Sequence, residues 1–265
     1  MRTYESDVRH GRRLTRVLED CLNIFSQDAG EYGFIGLIGG AVTCIVVLIL
    51  GVIGGPVASL LLVLAAVAGT VITLGTATEA YRRVADNLSP DSGQALVGVM
   101  MRLPWLLTPW LPLAGVGGLV AFALSGWGSQ LPGTLSQAIA MVVLVGAVIY
   151  ALQRSMAVPA VVIDRARPRD AAEGASLLFT QMPARVTGAL ALVLSPAVIF
   201  GAIALSAGFG PVSTALAVFF LAGLSPLAAI VLAEMYDEAA RSVAPADRAH
   251  HAGRALAAKR RQGAR

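Results

Sequence analysis

Six long apolar runs, separated by polar or glycine- and proline-rich segments, dominate the pattern of the chain. A helix of about 20 apolar residues, rising 1.5 Å per residue, crosses a hydrocarbon core of roughly 30 Å. The runs therefore predict an all-α polytopic membrane protein with six transmembrane helices. They lie at about 33–54, 56–78, 105–126, 133–153, 185–207 and 211–233.

A different apolar pattern occupies the segment before the first run. Apolar residues recur there at steps of three and four, while several arginines fall on another arc. The apolar positions are Leu14, Val17, Leu18, Cys21, Leu22 and Phe25. This spacing is typical of an amphipathic helix that lies in the headgroup region of a membrane. A helix that caps the ends of the spans would show the same spacing, and the sequence leaves both arrangements open.

The sequence also repeats itself. The stretch LNIFSQ at 22–27 returns as SLLFTQ at 176–181, displaced by 154 positions or two periods of 77. Prolines begin the even-numbered runs with nearly the same period, at Pro56, Pro132 and Pro211. The pattern predicts three tandem hairpin repeats that share one orientation. The units span about 14–90, 91–168 and 169–245, and each holds an interfacial helix, an outward span, a tight turn and an inward span.

Composition and charge orient this arrangement. Hydrophobic residues make up 56% of the chain and charged residues 14%, and the mean hydropathy is +0.73. All 20 Lys and Arg residues fall on one side of the six spans, and the three opposite loops carry no charge. Because cytoplasmic loops are enriched in Lys and Arg, we predict a multi-pass protein of the cell membrane with both termini in the cytoplasm.

Three regions follow from these patterns. They are a cytoplasmic or interfacial segment at 1–32, a six-span membrane domain at 33–235 and a basic cytoplasmic tail at 236–265. The net charge of +4 and the basic tail predict attraction to anionic lipid headgroups. The last residues, AKRRQGAR, are few and have no interleaved aromatic side chains, so we predict no binding of nucleic acid.

Ionisable side chains are absent from the predicted membrane interior. No Asp, Glu, His, Lys or Arg lies inside a run apart from Arg185 at a boundary, and the common catalytic and metal-binding motifs are missing. We therefore predict a protein that is not an enzyme and holds no metal or cofactor. Glu79 and Glu234 lie at equivalent inner ends of the second and sixth runs. They could form a gating pair, but solvated carboxylates beside arginines fit the sequence better.

Polar and small residues within the runs are the remaining candidates. Thr70, Thr73 and Thr76 form a stripe that could line a path or bond to the helix backbone. Ser195-Pro196 and Ser225-Pro226 could form a gate between two kinked helices or accommodated bends. Four glycines predict close helix packing, within the protein or in a homo-oligomer. They are Gly36, Gly40, Gly115 and Gly118.

One stretch resembles a known family. From the fourth run into the fifth, the chain reads VPAVVIDRARPRDAAEGASLLFTQMPARVTGALALVL. The positions that carry the resemblance are Pro159, Asp164, Asp170, Ala171 and Ser176. The stretch is similar to bacterial six-span proteins grouped around the glycerophosphoryl diester phosphodiesterase membrane domain, although Leu177, Leu178 and Phe179 depart from the family pattern. In such proteins the phosphodiesterase activity belongs to a separate soluble domain. The resemblance therefore implies a helical membrane module and assigns no catalytic residue.

These observations favour a membrane scaffold or accessory subunit that acts through partner proteins or lipids. The charge-free interior, the short outer loops and the extended charged inner face support this hypothesis. The alternative is a transporter or lipid-handling permease with a path between the three hairpins, lined by the threonine stripe.

Overall fold

The computed structural model describes residues 14–127, 133–206 and 211–242, and their regular secondary structure is entirely helical. Helices α1 to α4 cover Leu14–Gln27, Ala29–Ile53, Gly55–Ala85 and Ser92–Met100. Helix α5, Leu103–Leu107, continues into a 3-10 helix at Thr108–Trp110. Helices α6 to α8 cover Leu111–Trp127, Gly133–Arg154 and Ala157–Val162. Helices α9 to α11 cover Pro168–Gln181, Pro183–Ser206 and Pro211–Ser242.

Five helical stretches are long and apolar enough to cross a membrane, or six if the bent pair of α9 and α10 counts as one span. The five are Ala29–Ile53, Gly55–Ala85, Leu103–Ser125, Val145–Val162 and Thr214–Glu238. Helices α9 and α10 meet at an angle of 98°. The predicted all-helical, multi-pass architecture is confirmed at this level.

Several helices extend past the apolar runs that predicted them. Helix α3 continues to Ala85 and carries Arg82 and Arg83 in its last turn, where cations complement the helix dipole. Helix α11 continues to Ser242, so residues 236–242, which the sequence assigned to the basic tail, belong to this helix. The rest of the tail, 243–265, and the first 13 residues lie outside the described residues.

The centre of the bundle is formed by α2, α3 and α11, with α6 packed on α3 and α10 packed on α11. Outward-facing positions on the spans carry large exposed apolar side chains, among them Leu37, Val52, Leu119 and Val142. Hydrocarbon solvates such side chains at no cost, which is consistent with a membrane location. We call the end of the bundle at which α3, α7 and α11 finish the basic end, because the described arginine contacts lie there.

Helices α2 and α3 approach closely through two reciprocal glycine–threonine contacts. A Cβ atom on Gly39 would lie 2.6 Å from Cγ2 of Thr73 and closer still to its Oγ1. A Cβ atom on Gly69 would meet Thr43 at the same distances. Each glycine therefore makes the space that a threonine of the other helix fills, and the two spans cannot slide along each other without losing both contacts.

The small residues Gly36 and Gly40 face α11. A Cβ on Gly36 would lie 2.5 Å from the carbonyl oxygen of Gly223, and one on Gly40 would lie 3.0 Å from that of Phe219. Gly118 lies against α3, where its Cβ would come 2.5 Å from Cδ1 of Leu60.

Gly115 does not lie at a helix contact within the described part of the chain. A Cβ at this position would have no atom within 4 Å, so the predicted internal packing role is wrong for this glycine. Its neighbour one helical turn along, Gly118, is buried because it lies on the face of α6 that points toward α3. Because residues three apart lie on nearly the same side of a helix, half-buried Gly115 lies at the edge of the face that carries buried Gly118.

Helix α1 caps the ends of α10 and α11. Val17 and Cys21 are buried there, and Phe25 stacks on Tyr32 with ring centroids 5.9 Å apart. Leu22, on the same predicted apolar face, is exposed. Burial, reinforced by the charges of Glu234 and Asp20, raises the pKa of Cys21 to about 12, so the thiol stays protonated at neutral pH.

The turn between α2 and α3 is unusually tight. Only Gly54 separates the two helices, and it and Gly55 have positive φ angles of 68° and 83°. Side chains with a Cβ rarely adopt this conformation, which accounts for the glycine pair. The Gly54 N–H still bonds to the carbonyl of Leu50 at 3.1 Å.

Candidate functional site

The predicted threonine stripe lies on α3 and bonds to its own helix. The hydroxyl groups of Thr70, Thr73 and Thr76 each donate 2.8 Å hydrogen bonds to the carbonyl four residues earlier. Thr73 and Thr76 are buried, and Thr73 fills the space beside Gly39. The donor capacity of all three hydroxyls is thus used within α3.

The two serine–proline pairs lie inside continuous helices. Helix α10 runs without a break through Ser195 and Pro196, and α11 runs through Ser225 and Pro226. Both serine hydroxyls donate 2.8 Å or shorter bonds to carbonyls three residues earlier. Pro226 lies against the α2 contact, since its Cγ would be 3.1 Å from a Cβ on Gly36.

A buried carboxylate organises the basic end. Glu79 is 5% exposed, although the sequence favoured a solvated side chain, and that interpretation is wrong. Arg82 donates to both of its oxygens, at 2.6 and 3.1 Å. Arg102, which follows α4, lies 3.7 Å from the same carboxylate and donates to the Val162 carbonyl at 3.2 Å. Glu79 therefore connects α3 to the segments before α5 and at the end of α8.

Two tyrosines make further connections between distant parts of the chain. The Tyr81 hydroxyl donates to Glu234 on α11 at 2.8 Å. The Tyr236 hydroxyl donates to Asp164 in the segment between α8 and α9. Glu234 thus accepts a hydrogen bond from α3. Among the described residues, no hydrogen bond or ion pair joins Glu79 to Glu234 directly, as a gating pair would need. Each carboxylate instead has its own donor.

A third connection joins α10 to α11. Arg185 and Glu238 form a two-bond ion pair at 3.0 and 3.1 Å, and both side chains are about three-quarters buried, with exposures of 25% and 22%. A bidentate ion pair of this kind fixes the relative orientation of the two side chains as well as the distance between them. We refer to these contacts of Glu79, Tyr81, Tyr236 and Arg185 as the inner network.

A cleft of about 510 Å³ opens beside the inner network, between the 3-10 helix, the end of α7 and the start of α9. We call it the arginine cleft, because three of the residues that line it are Arg154, Arg167 and Arg169. Pro109 and Tyr150 form part of its wall, and the Tyr150 hydroxyl donates to the Pro109 carbonyl at 2.8 Å. The wall is therefore apolar and the rim is basic.

A second cleft of about 400 Å³ lies between the end of α3 and α4. Glu79, Arg83 and Gln94 line it. Helix α4 is held in place by Asp91, whose carboxylate accepts the Gln94 N–H at 3.0 Å, and by Glu31 of α2, which accepts the Ser92 N–H at 3.0 Å. In the described residues, His, Cys, Asp and Glu side chains form no group of three that could hold a metal ion.

The arginine cleft has no direct signal in the sequence, because its lining comes from segments that are far apart along the chain. Comparison with known proteins adds no assignment. No protein-family model, no curated protein and no solved structure matches the chain.

Proposed function

We propose that the protein is a non-enzymatic membrane scaffold or accessory subunit, which acts through partner proteins and anionic lipids at its basic end. One observation carries this proposal. The inner network holds the helix ends together, while two large apolar side chains outside the five apolar helical stretches remain exposed: Met101, just after α4, is 80% exposed, and Leu177 on α9 is 64% exposed. A rigid base with exposed apolar side chains is suited to binding a partner.

The contacts of the predicted path residues support this choice over the permease. Thr73 and Thr76 are buried and bond to their own helix, and the reciprocal contacts of Gly39 and Gly69 place Thr73 against α2 of the same hairpin, not between hairpins. The resemblance to the phosphodiesterase membrane-domain family, which implies a membrane module of undefined chemistry, is compatible with the same proposal.

The proposal also includes the predicted repeat of three hairpin units. The inner network joins the three units: Glu79 of the first unit pairs with Arg102 of the second, and Tyr81 of the first bonds to Glu234 of the third. Tyr236, at the position that matches Tyr81, bonds to Asp164 of the second unit. Three hairpins of one orientation would bring these residues to one end, and the arginines there support a cytoplasmic location for it.

This orientation predicts the outcome of a cysteine-labelling experiment. In a background with Cys21→Ala and Cys44→Ala, a membrane-impermeant maleimide should label Ser129→Cys in intact cells. It should label Arg165→Cys only after the membrane is permeabilised. Labelling of Arg165→Cys in intact cells would reverse the orientation and remove the cytoplasmic basic end from the proposal.

Site-specific photocrosslinking tests the partner. A photoreactive amino acid at Leu177 or Met101 should form an adduct of one discrete mass with another polypeptide in living cells. The control position is Val142, which is 73% exposed on a span and should react with lipid alone. If Leu177 and Met101 also give only lipid adducts, and purified protein supports solute flux into liposomes, the permease replaces the scaffold.

A further inference from the structure

The arginine cleft has unused capacity to donate hydrogen bonds. The guanidinium of Arg154 lies 5.5 Å from the ring centroid of Tyr150, and its Nη1 donates to the Ala172 carbonyl. Its Nε is buried and has no hydrogen-bond partner among the described residues, so it is not open to the cleft. Its Nη2 forms no hydrogen bond or ion pair with the described residues and is the nitrogen left to donate to a ligand atom.

A second guanidinium is available at the rim. The Arg167 side chain is exposed and forms no ion pair or hydrogen bond with the residues that the structure describes, although the backbone carbonyl accepts the Ala171 N–H. Arg169 is partly neutralised, because its Nε donates to Glu173 at 2.9 Å. Two further acidic residues are close in sequence, Asp164, which accepts from Tyr236, and Asp170 in the first turn of α9, and neither lines the cleft. The lining residues therefore carry a positive charge that favours an anion.

The wall of the cleft selects the kind of anion. Pro109 and Pro112 have no N–H group, and the Tyr150 hydroxyl is already bonded to the Pro109 carbonyl. Below its basic rim the cleft thus offers mainly apolar surface. It also lies where helix α7 ends, at Arg154, and near the start of the candidate span Leu103–Ser125. A ligand with a phosphate at the rim and hydrocarbon against the prolines matches both surfaces.

We propose that the arginine cleft binds the phosphate group of an anionic phospholipid, with Arg154 and Arg167 as the phosphate ligands and Pro109, Pro112 and Tyr150 in contact with the glycerol and upper acyl region. Arginine suits this role because its planar fork offers several donors to phosphate oxygens and stays charged. This inference deepens the proposed function by giving its lipid component a specific site.

Native mass spectrometry of the full-length protein in detergent tests the site. Phosphatidylglycerol should bind as a discrete single adduct, and phosphatidylcholine should bind more weakly. Arg167→Gln should weaken the phosphatidylglycerol adduct about fivefold, the factor expected for one arginine at an anionic headgroup. Arg165→Gln is the matched control: it removes the same charge two residues away, from a side chain that does not line the cleft, and should change binding less than twofold.

Arg154→Lys separates charge from geometry. It keeps one positive charge but loses the planar fork, so we expect it to weaken the adduct as well. Equal losses in Arg165→Gln and Arg167→Gln would mean general charge attraction and overturn the site. Displacement of the lipid by millimolar inorganic phosphate would identify a free phosphate as the ligand and overturn the lipid assignment. Photocrosslinking at Leu177 is independent of both results, so failure of the lipid site and failure of the scaffold proposal remain distinguishable.

Discussion

Replacing Glu79 with glutamine is expected to destabilise the protein by about 3 kcal/mol, the low end of the range for breaking a buried ion pair. The carboxylate side chain is 6% exposed and faces Arg82 and Arg102, which are 23% exposed. Glutamine has the same shape but no charge, so the two guanidinium groups would remain close together without an anion between them. The measurement is the free energy of unfolding from a denaturing-detergent titration of the purified protein.

The matched control is Glu173→Gln. Glu173 also pairs with an arginine, but both side chains are largely exposed, at 64% and 88%. Surface pairs of this kind contribute little to stability, because water and salt screen both charges. If the two glutamine variants lost the same stability, burial would not be the reason that Glu79 matters.

Replacing Gly39 with alanine should cost about 1–3 kcal/mol, the range for an overpacked helix contact. The new methyl group would lie within 2.6 Å of Thr73, and a threonine in a helix has few rotamers in which to move away. The control in the same helix is Gly33→Ala, where the new methyl group meets no atom within 4 Å and the better helix propensity of alanine should prevent any loss.

A second substitution tests the contact itself. Thr73→Ala removes the two closest atoms and leaves only Cβ, 3.0 Å from the methyl group of Gly39→Ala. The double variant should therefore recover a large part of the stability that Gly39→Ala loses. Additive losses in the double variant would show that Gly39 and Thr73 do not meet in the folded protein.

The spans could be predicted from the sequence because hydrophobic length is a local property. Runs such as 56–78 mark the part of a helix that hydrocarbon must solvate, but they do not mark where the helix ends. Helix α3 continues to Ala85, and in this extension Glu79 and Tyr81 contact Arg102 and Glu234 of the inner network. Those partners come from other parts of the chain, so these contacts have no local signal.

The burial of Glu79 was missed for the same reason. A carboxylate followed three residues later by arginine has the pattern of a solvated helix end, and the decisive partner, Arg102, lies beyond the next helix. The packing of two glycines could be predicted from the sequence. Gly36 and Gly40 are four residues apart on one face of α2, and both lie against α11. Gly115 shows the limit of that argument, because spacing identifies a face of small residues but not the helix that covers it.

The tight connection at Gly54 has a consequence for biosynthesis. Almost every backbone N–H and C=O of α2 and α3 is bonded within a helix, and even the Gly54 N–H is paired. The pair can therefore enter the lipid bilayer as one preformed unit, with no charged side chain in the turn and few bare peptide groups to carry across. Partitioning of the two apolar helices into hydrocarbon supplies driving force for this step.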